Sequence, residues 1–165
     1  MPDIKSPAAP VHWREAELRQ GIELLFFAYR DFTDGPDHML EKYGFGRAHH
    51  RVIYFVGRHP HMNVTELLAI LRITKQSLNR VLSQLVRQGF IRQTPGHSDR
   101  RQRLLELTEQ GVALERDLSE NQRGFIARAY REAGPEAVEG FRKVMIDLIA
   151  DPADRARFIR GGKRE

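Results

Sequence analysis

Cysteine is absent from this sequence of 165 residues. Its absence excludes disulfide bonds, thiolate metal sites and any sensor that depends on a reactive cysteine. Long apolar runs are missing too, because no stretch approaches the roughly 18 uninterrupted apolar residues of a membrane-spanning helix. The proline-rich start, Met1 to Pro10, lacks the apolar segment of a secretory signal. We therefore expect a soluble, cytoplasmic protein.

Motifs for catalysis are also lacking. The sequence contains no glycine-rich phosphate loop, no nucleophile elbow and no metal-binding motif, so we expect no enzymatic activity and no cofactor. Seven histidines are present, among them His49-His50 and His59-Pro60-His61. None of them form a pair at the i, i+4 spacing that directs two imidazoles of a helix toward one metal ion. We predict no metal site, and we interpret His50 as a partly buried, hydrogen-bonded residue.

Positive charge is concentrated in one part of the chain. The formal net charge is +5, yet the 32 residues from Arg72 to Arg103 hold eight basic side chains and one acid, Asp99, a net of +7. The remaining residues hold 19 basic and 21 acidic side chains, a net of −2. Such a window is typical of a surface that binds a polyanion, although a solvated basic face would give the same count.

The middle of the chain has the signals of two short helices followed by a hairpin. Asn63-Val64-Thr65-Glu66 resembles a capping box and predicts a helix over Thr65–Arg72. Thr74 caps the next helix, which reaches Gln88 with one apolar stripe: Leu78, Val81, Leu82 and Leu85. After Gly89 the period changes toward 2, and Phe90–Thr94 and Arg103–Leu107 predict two strands around a Pro95-Gly96 turn. This order predicts a winged helix-turn-helix.

Amphipathic helices are predicted on both sides of this region. The first runs from Trp13 to about Arg30 and ends in a loop, Asp31–Gly46; a second spans Arg47 to Val56. Thr108 caps a long helix that reaches about Ala133, and a last helix after Gly134-Pro135 has an apolar stripe: Phe141, Val144, Met145 and Leu148.

The expected fold class is mainly α, about six helices with a small β wing, built around a winged helix-turn-helix lobe. The corresponding boundaries are 1–46 for an N-terminal helix and loop, 47–108 for the winged helix-turn-helix region, 109–150 for the C-terminal helices and 151–165 for a charged, flexible tail.

The outward face of the second short helix is chemically suited to reading bases. Burial of its apolar stripe leaves five polar side chains near the opposite face: Gln76, Asn79, Arg80, Ser83 and Arg87. Glutamine and asparagine can pair with adenine and arginine with guanine, while lysine and serine more often contact phosphates. The first turn, with Thr74, Lys75, Gln76 and Ser77, also offers free N–H groups to phosphate.

The predicted wing is basic at its tip, where Gly96-His97-Ser98-Asp99-Arg100-Arg101 forms the turn. An arginine here can enter a minor groove, and Arg92 in the first strand is a further candidate for a DNA contact. Asp99 is unexpected beside DNA. Our hypothesis is that it orients Arg101 through a charge-assisted bond, although a solvated turn residue is the alternative.

The wing and the segment after it resemble the MarR family of bacterial and archaeal regulators. The resemblance rests on Gly89-Phe90-Ile91-Arg92, Asp99-Arg100-Arg101 and Leu105-Glu106-Leu107-Thr108-Glu109-Gln110-Gly111, since the family has an Asp-x-Arg followed by Leu-Thr-x-x-Gly at this spacing. It implies a homodimer on a pseudo-palindromic operator, with Arg101 in the minor groove and Asp99 as its support.

The resemblance also gives the remaining residues candidate roles. It implies that 1–46 and 109–150 form a helical dimerisation layer around the DNA-binding region 47–108. The dimer contacts would be made by Trp13, Ile22, Phe26, Phe141, Val144, Met145 and Leu148, although an intrachain core would use the same stripes. Many family members bind small aromatic or anionic effectors in a crevice beside the DNA-binding lobe. Here Phe26, Tyr29, Phe45, Arg47, His50 and Tyr54 are the candidate lining, unless these aromatics are simply core.

Together these observations predict a transcriptional regulator that binds specific double-stranded DNA as a homodimer. It would act at an operator by blocking polymerase, as a repressor, or by recruiting it, and it could respond to a ligand. The alternative from another class is a winged-helix module whose exposed face binds a protein or RNA partner. Salt-sensitive binding to duplex DNA distinguishes the two.

Overall fold

The computed structural model describes residues 12–159, which form seven helices and one small sheet. The helices are α1 (Glu15–Glu41), α2 (Arg47–Arg58), α3 (Val64–Leu71), α4 (Lys75–Arg87), α5 (Glu109–Ala133), α6 (Pro135–Leu148) and α7 (Pro152–Ile159). The strands are β1 (Met62–Asn63), β2 (Ile91–Pro95) and β3 (Arg103–Leu107). Among the described residues no helix is both long and apolar enough to cross a membrane.

The winged helix-turn-helix follows the sequence prediction closely. Asn63 caps α3 through a reciprocal capping box with Glu66, and the Thr74 hydroxyl accepts a hydrogen bond from the Ser77 amide at the start of α4. The wing strands β2 and β3 pair antiparallel, with Gln93 opposite Leu105. The third strand, β1, was not predicted. It pairs only Met62 with Leu105 and Asn63 with Leu104, too short a segment for a periodic signal.

The hydrophobic core lies between the winged helix-turn-helix and helices α1, α2 and α5. The apolar stripe of α4 is buried as predicted, and Phe90 is buried where the chain leaves α4 for the wing. Aromatic rings surround Phe90, because Tyr43 and Phe45 meet it edge-on at 5.2 and 5.4 Å between ring centroids. This core fixes the position of α4 and the wing relative to the rest of the chain.

The prediction that α1 ends near Arg30 is wrong, because the helix continues through Pro36 to Glu41. Proline inside a helix costs about 3 kcal/mol, since it removes a hydrogen bond. Here Pro36 is fully buried, and Gly35 lies so close to the side chain of Asn121 on α5 that a β-carbon would overlap it. Packing against α5 therefore maintains the helix through the segment that was predicted to be a loop.

The predicted flexible tail is also wrong within residues 151–159, where α7 forms. Asp151 accepts a hydrogen bond from the Ala153 amide at 2.7 Å, and Pro152 occupies the first helical position. Arg155 donates to the carbonyl oxygen of Ile149, which joins α7 to the end of α6. Residues 1–11 and 160–165 lie outside the described residues, so the predictions for the chain start and the last part of the tail are not addressed by the fold.

One glycine, Gly111, allows the base of the wing to approach α5 closely. A methyl group on Gly111 would overlap the carbonyl oxygen of Phe90, so only glycine allows this close approach. The same junction is closed by hydrogen bonds, since the Thr108 amide donates to the Phe90 carbonyl at 3.1 Å and the Thr108 hydroxyl donates to the Gly89 carbonyl at 2.5 Å. The base of the wing is thereby fixed to the first turn of α5.

We expect Gly111→Ala to lower the free energy of unfolding by about 2 kcal/mol or more, because backbone at the wing base must move. Gly124→Ala is the matched control, since Gly124 lies in the same helix with open space around it. Removing a helical glycine there should stabilise the protein by about 0.5 to 1 kcal/mol. Urea denaturation of the three proteins measures both effects, and equal effects of the two substitutions would contradict the close approach.

Candidate nucleic-acid interface

The outward face of α4 is exposed and carries no acidic side chain. With its apolar stripe buried, the helix exposes the side chains predicted to contact DNA: Lys75, Gln76, Asn79, Arg80, Ser83 and Arg87. An α-helix with such a face fits the major groove, which is about 12 Å wide. The structure therefore brings all six predicted residues of this helix face to one surface.

The first turn of α4 uses part of its polar side chains internally. The Thr74 hydroxyl accepts from the Ser77 amide at 3.1 Å and donates to the Ser77 hydroxyl at 2.8 Å. Thr74 and Ser77 thus complete the helix cap and stay near the exposed N-terminal turn. Lys75 extends from the same turn without a salt bridge to any residue in the range 12–159.

The wing tip is a tight turn that presents two exposed arginines, Arg100 and Arg101. The Gly96 amide donates to the Gln102 carbonyl at 2.9 Å, which closes the turn. The Asp99 carboxylate accepts from the main-chain amide of Arg101 at 2.9 Å. Within the described residues Asp99 holds the main chain of the turn and forms no ion pair with the Arg101 guanidinium, so the charge-assisted bond that we predicted is not observed and the Arg101 side chain is exposed.

Two of the eight cations in the basic window are paired with acids from outside it. Arg92 contacts the Glu106 carboxylate at 2.8 Å across the β2–β3 pair, which also holds the pKa of Glu106 below its usual value. Arg72 contacts Asp151 and Asp154. Within residues 12–159 the other six form no salt bridge: Lys75, Arg80, Arg87, Arg100, Arg101 and Arg103. The unpaired positive charge thus lies on α4 and the wing.

A buried histidine links α2 to the inner side of α4. The ring of His49 stacks on Phe45 at 4.6 Å between centroids, and its Nδ1 accepts from the Gly46 amide at 3.1 Å. Its Nε2 therefore carries the hydrogen and donates to the Gln84 side-chain oxygen of α4 at 2.5 Å. Sequence reasoning missed this pair, because its partners are 35 residues apart.

The sequence interpretation of His50 is corrected in part: His50 is partly buried as expected, but among the described residues the side-chain hydrogen bonds of this histidine pair belong to His49. His50 is half-buried, and burial lowers its pKa below the usual value. Among the described residues no three histidine, aspartate or glutamate side chains are grouped as metal ligands would be.

None of the six candidate effector residues lines either of the two clefts that stand out among the described residues, one beside the base of the wing and one between α1 and α5. Phe45 is a core residue, which corrects its assignment, and Phe26 and Tyr54 are exposed on different helices. Arg47 donates to the Asp37 carboxylate at 2.9 Å and lies over the Tyr29 ring at 5.5 Å. Tyr29 in turn accepts a hydrogen bond from Arg51 at 2.8 Å. An effector site remains a prediction.

The predicted dimerisation residues are at the surface of the single chain. Trp13, Ile22 and Phe26 are 65%, 68% and 63% exposed, and Phe141, Val144 and Leu148 are also exposed, while Met145 is half-buried. Additional large apolar side chains on the same helices are exposed with them: Leu18, Leu24, Leu25 and Phe27. An intrachain core, the alternative for these stripes, is not what the fold shows.

Comparisons with known proteins agree with this geometry. The model of the MarR family matches residues 43–102. The HTH-type transcriptional regulator PetP of Rhodobacter capsulatus is 51% identical over 144 residues, which cover 87% of this chain and 86% of that protein.

Solved structures share the fold at lower identity. FabT of Streptococcus pneumoniae in complex with DNA superposes with a TM-score of 0.72 at 17% identity, covering 88% of this chain and 99% of that one. A cysteine-to-serine variant of MarR from E. coli complexed with operator DNA gives 0.64 at 16% identity, covering 84% and 99%. On the strength of the family model and the close relative, the chain belongs to the MarR family of transcriptional regulators.

Proposed function

We propose that this protein binds a specific sequence of duplex DNA as a homodimer and thereby controls transcription. The observation that carries the proposal is the exposed, acid-free face of α4 beside a wing with two exposed arginines, Arg100 and Arg101. In this arrangement α4 enters the major groove and Arg101 the adjacent minor groove. Structural relatives solved with DNA, FabT and the MarR variant, support the same use of this fold.

The homodimer follows from the apolar faces of the terminal helices. Many large apolar side chains of α1 and α6 are exposed in the single chain, which is unfavourable in a monomer and typical of a protein interface. A two-fold dimer presents two copies of α4, which reach successive major grooves when they are about 34 Å apart. The bound sequence should therefore be pseudo-palindromic, and we infer repression by steric exclusion of polymerase as its effect.

We also propose that a small aromatic or anionic effector regulates DNA binding. A ligand that changes the separation of the two α4 helices would change DNA affinity by the same coupling free energy. The cluster of Tyr29, Arg47 and Arg51 at the α1–α2 junction offers an aromatic ring and two cations to an anion. Such a ligand would compete with Asp37 for Arg47.

We infer that the protein has no catalytic role. We also infer that it acts in the bacterial cytoplasm, because the chromosome lies there.

The proposal predicts two different classes of α4 variant. Gln76→Ala or Asn79→Ala should relax the preference at one base position by about 1 to 3 kcal/mol, because a bidentate base contact is lost. Lys75→Ala should lower the affinity for all duplexes alike, because it removes a phosphate contact. Selection of bound duplexes from a random pool, followed by gel-shift titration, measures both. Unchanged base preference in both groove-face variants would contradict readout by α4.

A further inference from the structure

Arg72 is held between two carboxylates of the C-terminal region. Its Nη2 lies 2.5 Å from Asp151 and 3.3 Å from Asp154, and the side chain is still 58% exposed. Both acids lie about 80 positions further along the chain, at the start of α7. The ion pairs therefore connect the C-terminal helix to the DNA-binding region.

Arg72 lies directly before the helix proposed to enter the major groove. It ends α3 in the left-handed conformation, with φ of 52°, and Thr74, the cap of α4, follows two residues later. At about 3.4 Å per residue, its backbone is within roughly 7 Å of that cap. An arginine side chain at this distance can reach a phosphate bound at the start of α4.

The two acids are held in place independently of Arg72. Asp151 caps α7, and the backbone amides of Ala153 and Asp154 together with Arg72 lower its pKa, so it is charged at neutral pH. Asp154 also contacts Arg157 at 3.2 Å. The carboxylates therefore stay near Arg72 as fixed competitors for its guanidinium.

We propose that Arg72 can bind a DNA phosphate but is withheld from it by Asp151 and Asp154, so that α7 weakens the DNA complex. This inference rests on the proposed function. Exposed ion pairs are weak, whereas a phosphate contact releases counterions from DNA, so the competition can be shifted by modest changes. Helix α7 thus lowers the affinity for DNA, although it is not part of the surface that binds DNA.

The test is the variant Asp151→Asn with Asp154→Asn, measured on a duplex that the parent protein has selected from a random pool. Asparagine is as good a helix cap as aspartate, so α7 should persist. At 150 mM salt we expect binding about three- to tenfold tighter. We also expect the dependence of log affinity on log salt to steepen by about 0.9 per protomer, as one more phosphate contact requires.

Two controls separate this effect from a general gain of positive charge. Glu139→Gln with Asp147→Asn removes the same charge from α6, and neither of those acids forms a salt bridge within the described part of the chain. We expect less than about a twofold change for it at 150 mM salt, because these acids are screened. Adding Arg72→Gln to the Asp151/Asp154 variant should abolish the gain, while Arg72→Gln alone should change the parent by less than about twofold.

Three results would overturn the inference: an unchanged affinity and salt slope in the Asp151/Asp154 variant, a gain that persists without Arg72, or weaker binding. The last would mean that the ion pairs hold the helix-turn-helix in its binding geometry. Failure of the proposed function looks different, because the parent protein itself would then select no duplex from the pool.

Discussion

Ile22→Asp should convert the dimer into monomers and weaken DNA binding by about 100-fold or more. Ile22 is 68% exposed in the single chain and lies in the apolar stripe of α1 with Phe26. Burying such a side chain is worth about 1.5 to 3 kcal/mol, and each dimer would bury two of them. An aspartate in their place adds the cost of burying an unpaired charge. A monomer contacts only one half-site, so its affinity for the operator is lower than that of the dimer.

Sedimentation at micromolar concentration and a gel-shift titration measure the two effects together. Ala48→Asp is the matched control, because it adds the same charge at an exposed position of α2, a helix that carries none of the predicted dimerisation residues. This control should remain dimeric and bind DNA as the parent does. A monomeric parent protein, or an Ile22→Asp variant with parental mass and affinity, would contradict the proposed role of α1.

Arg101→Ala should weaken binding to the selected duplex by about 100-fold or more with no loss of stability. The side chain is exposed at the wing tip, and Asp99 holds only its backbone amide, so the fold does not depend on the guanidinium. A charge-assisted contact is worth about 1.5 to 3 kcal/mol, and a dimer has two wings. The slope of log affinity against log salt should fall by about 0.9 for each wing.

The comparison for Arg101 is Arg131→Ala, which removes an exposed cation from the last turn of α5. Its loss should change the affinity by less than about twofold, since it lies outside the proposed interface. Thermal unfolding of both variants checks that the fold is intact. Equal affinities of the Arg101 variant and the parent would exclude the wing from DNA recognition.

The sequence predicted the parts of the fold that depend on neighbouring residues. The side chains of Asn63 and Thr74 cap their helices by accepting hydrogen bonds from the backbone amides three positions later, and the change of period after Gly89 marks the wing. The acid-free face of α4 also followed from helical spacing alone, once its apolar stripe was assigned to the core. For these elements local propensity and tertiary packing favour the same structure.

The features that escaped prediction depend on contacts between distant segments. Pro36 signals a break, and only packing on α5 shows why α1 continues through it. The bonds from His49 to Gln84 and from Arg72 to Asp151 span 35 and 79 positions. Single-sequence patterns carry no information about such pairs. The charge count likewise treated Arg72 and Arg92 as free cations, although acids outside the window neutralise them.

The central claim is that α4 and the wing together fit the grooves of duplex DNA. Its most direct test is a competition titration, in which the protein is bound to a duplex selected from a random pool and challenged with heparin at low ionic strength. We predict that the selected duplex is retained at heparin concentrations that remove a duplex of scrambled sequence. Release of both duplexes at the same heparin concentration would mean that the protein recognises charge alone, and would contradict the account.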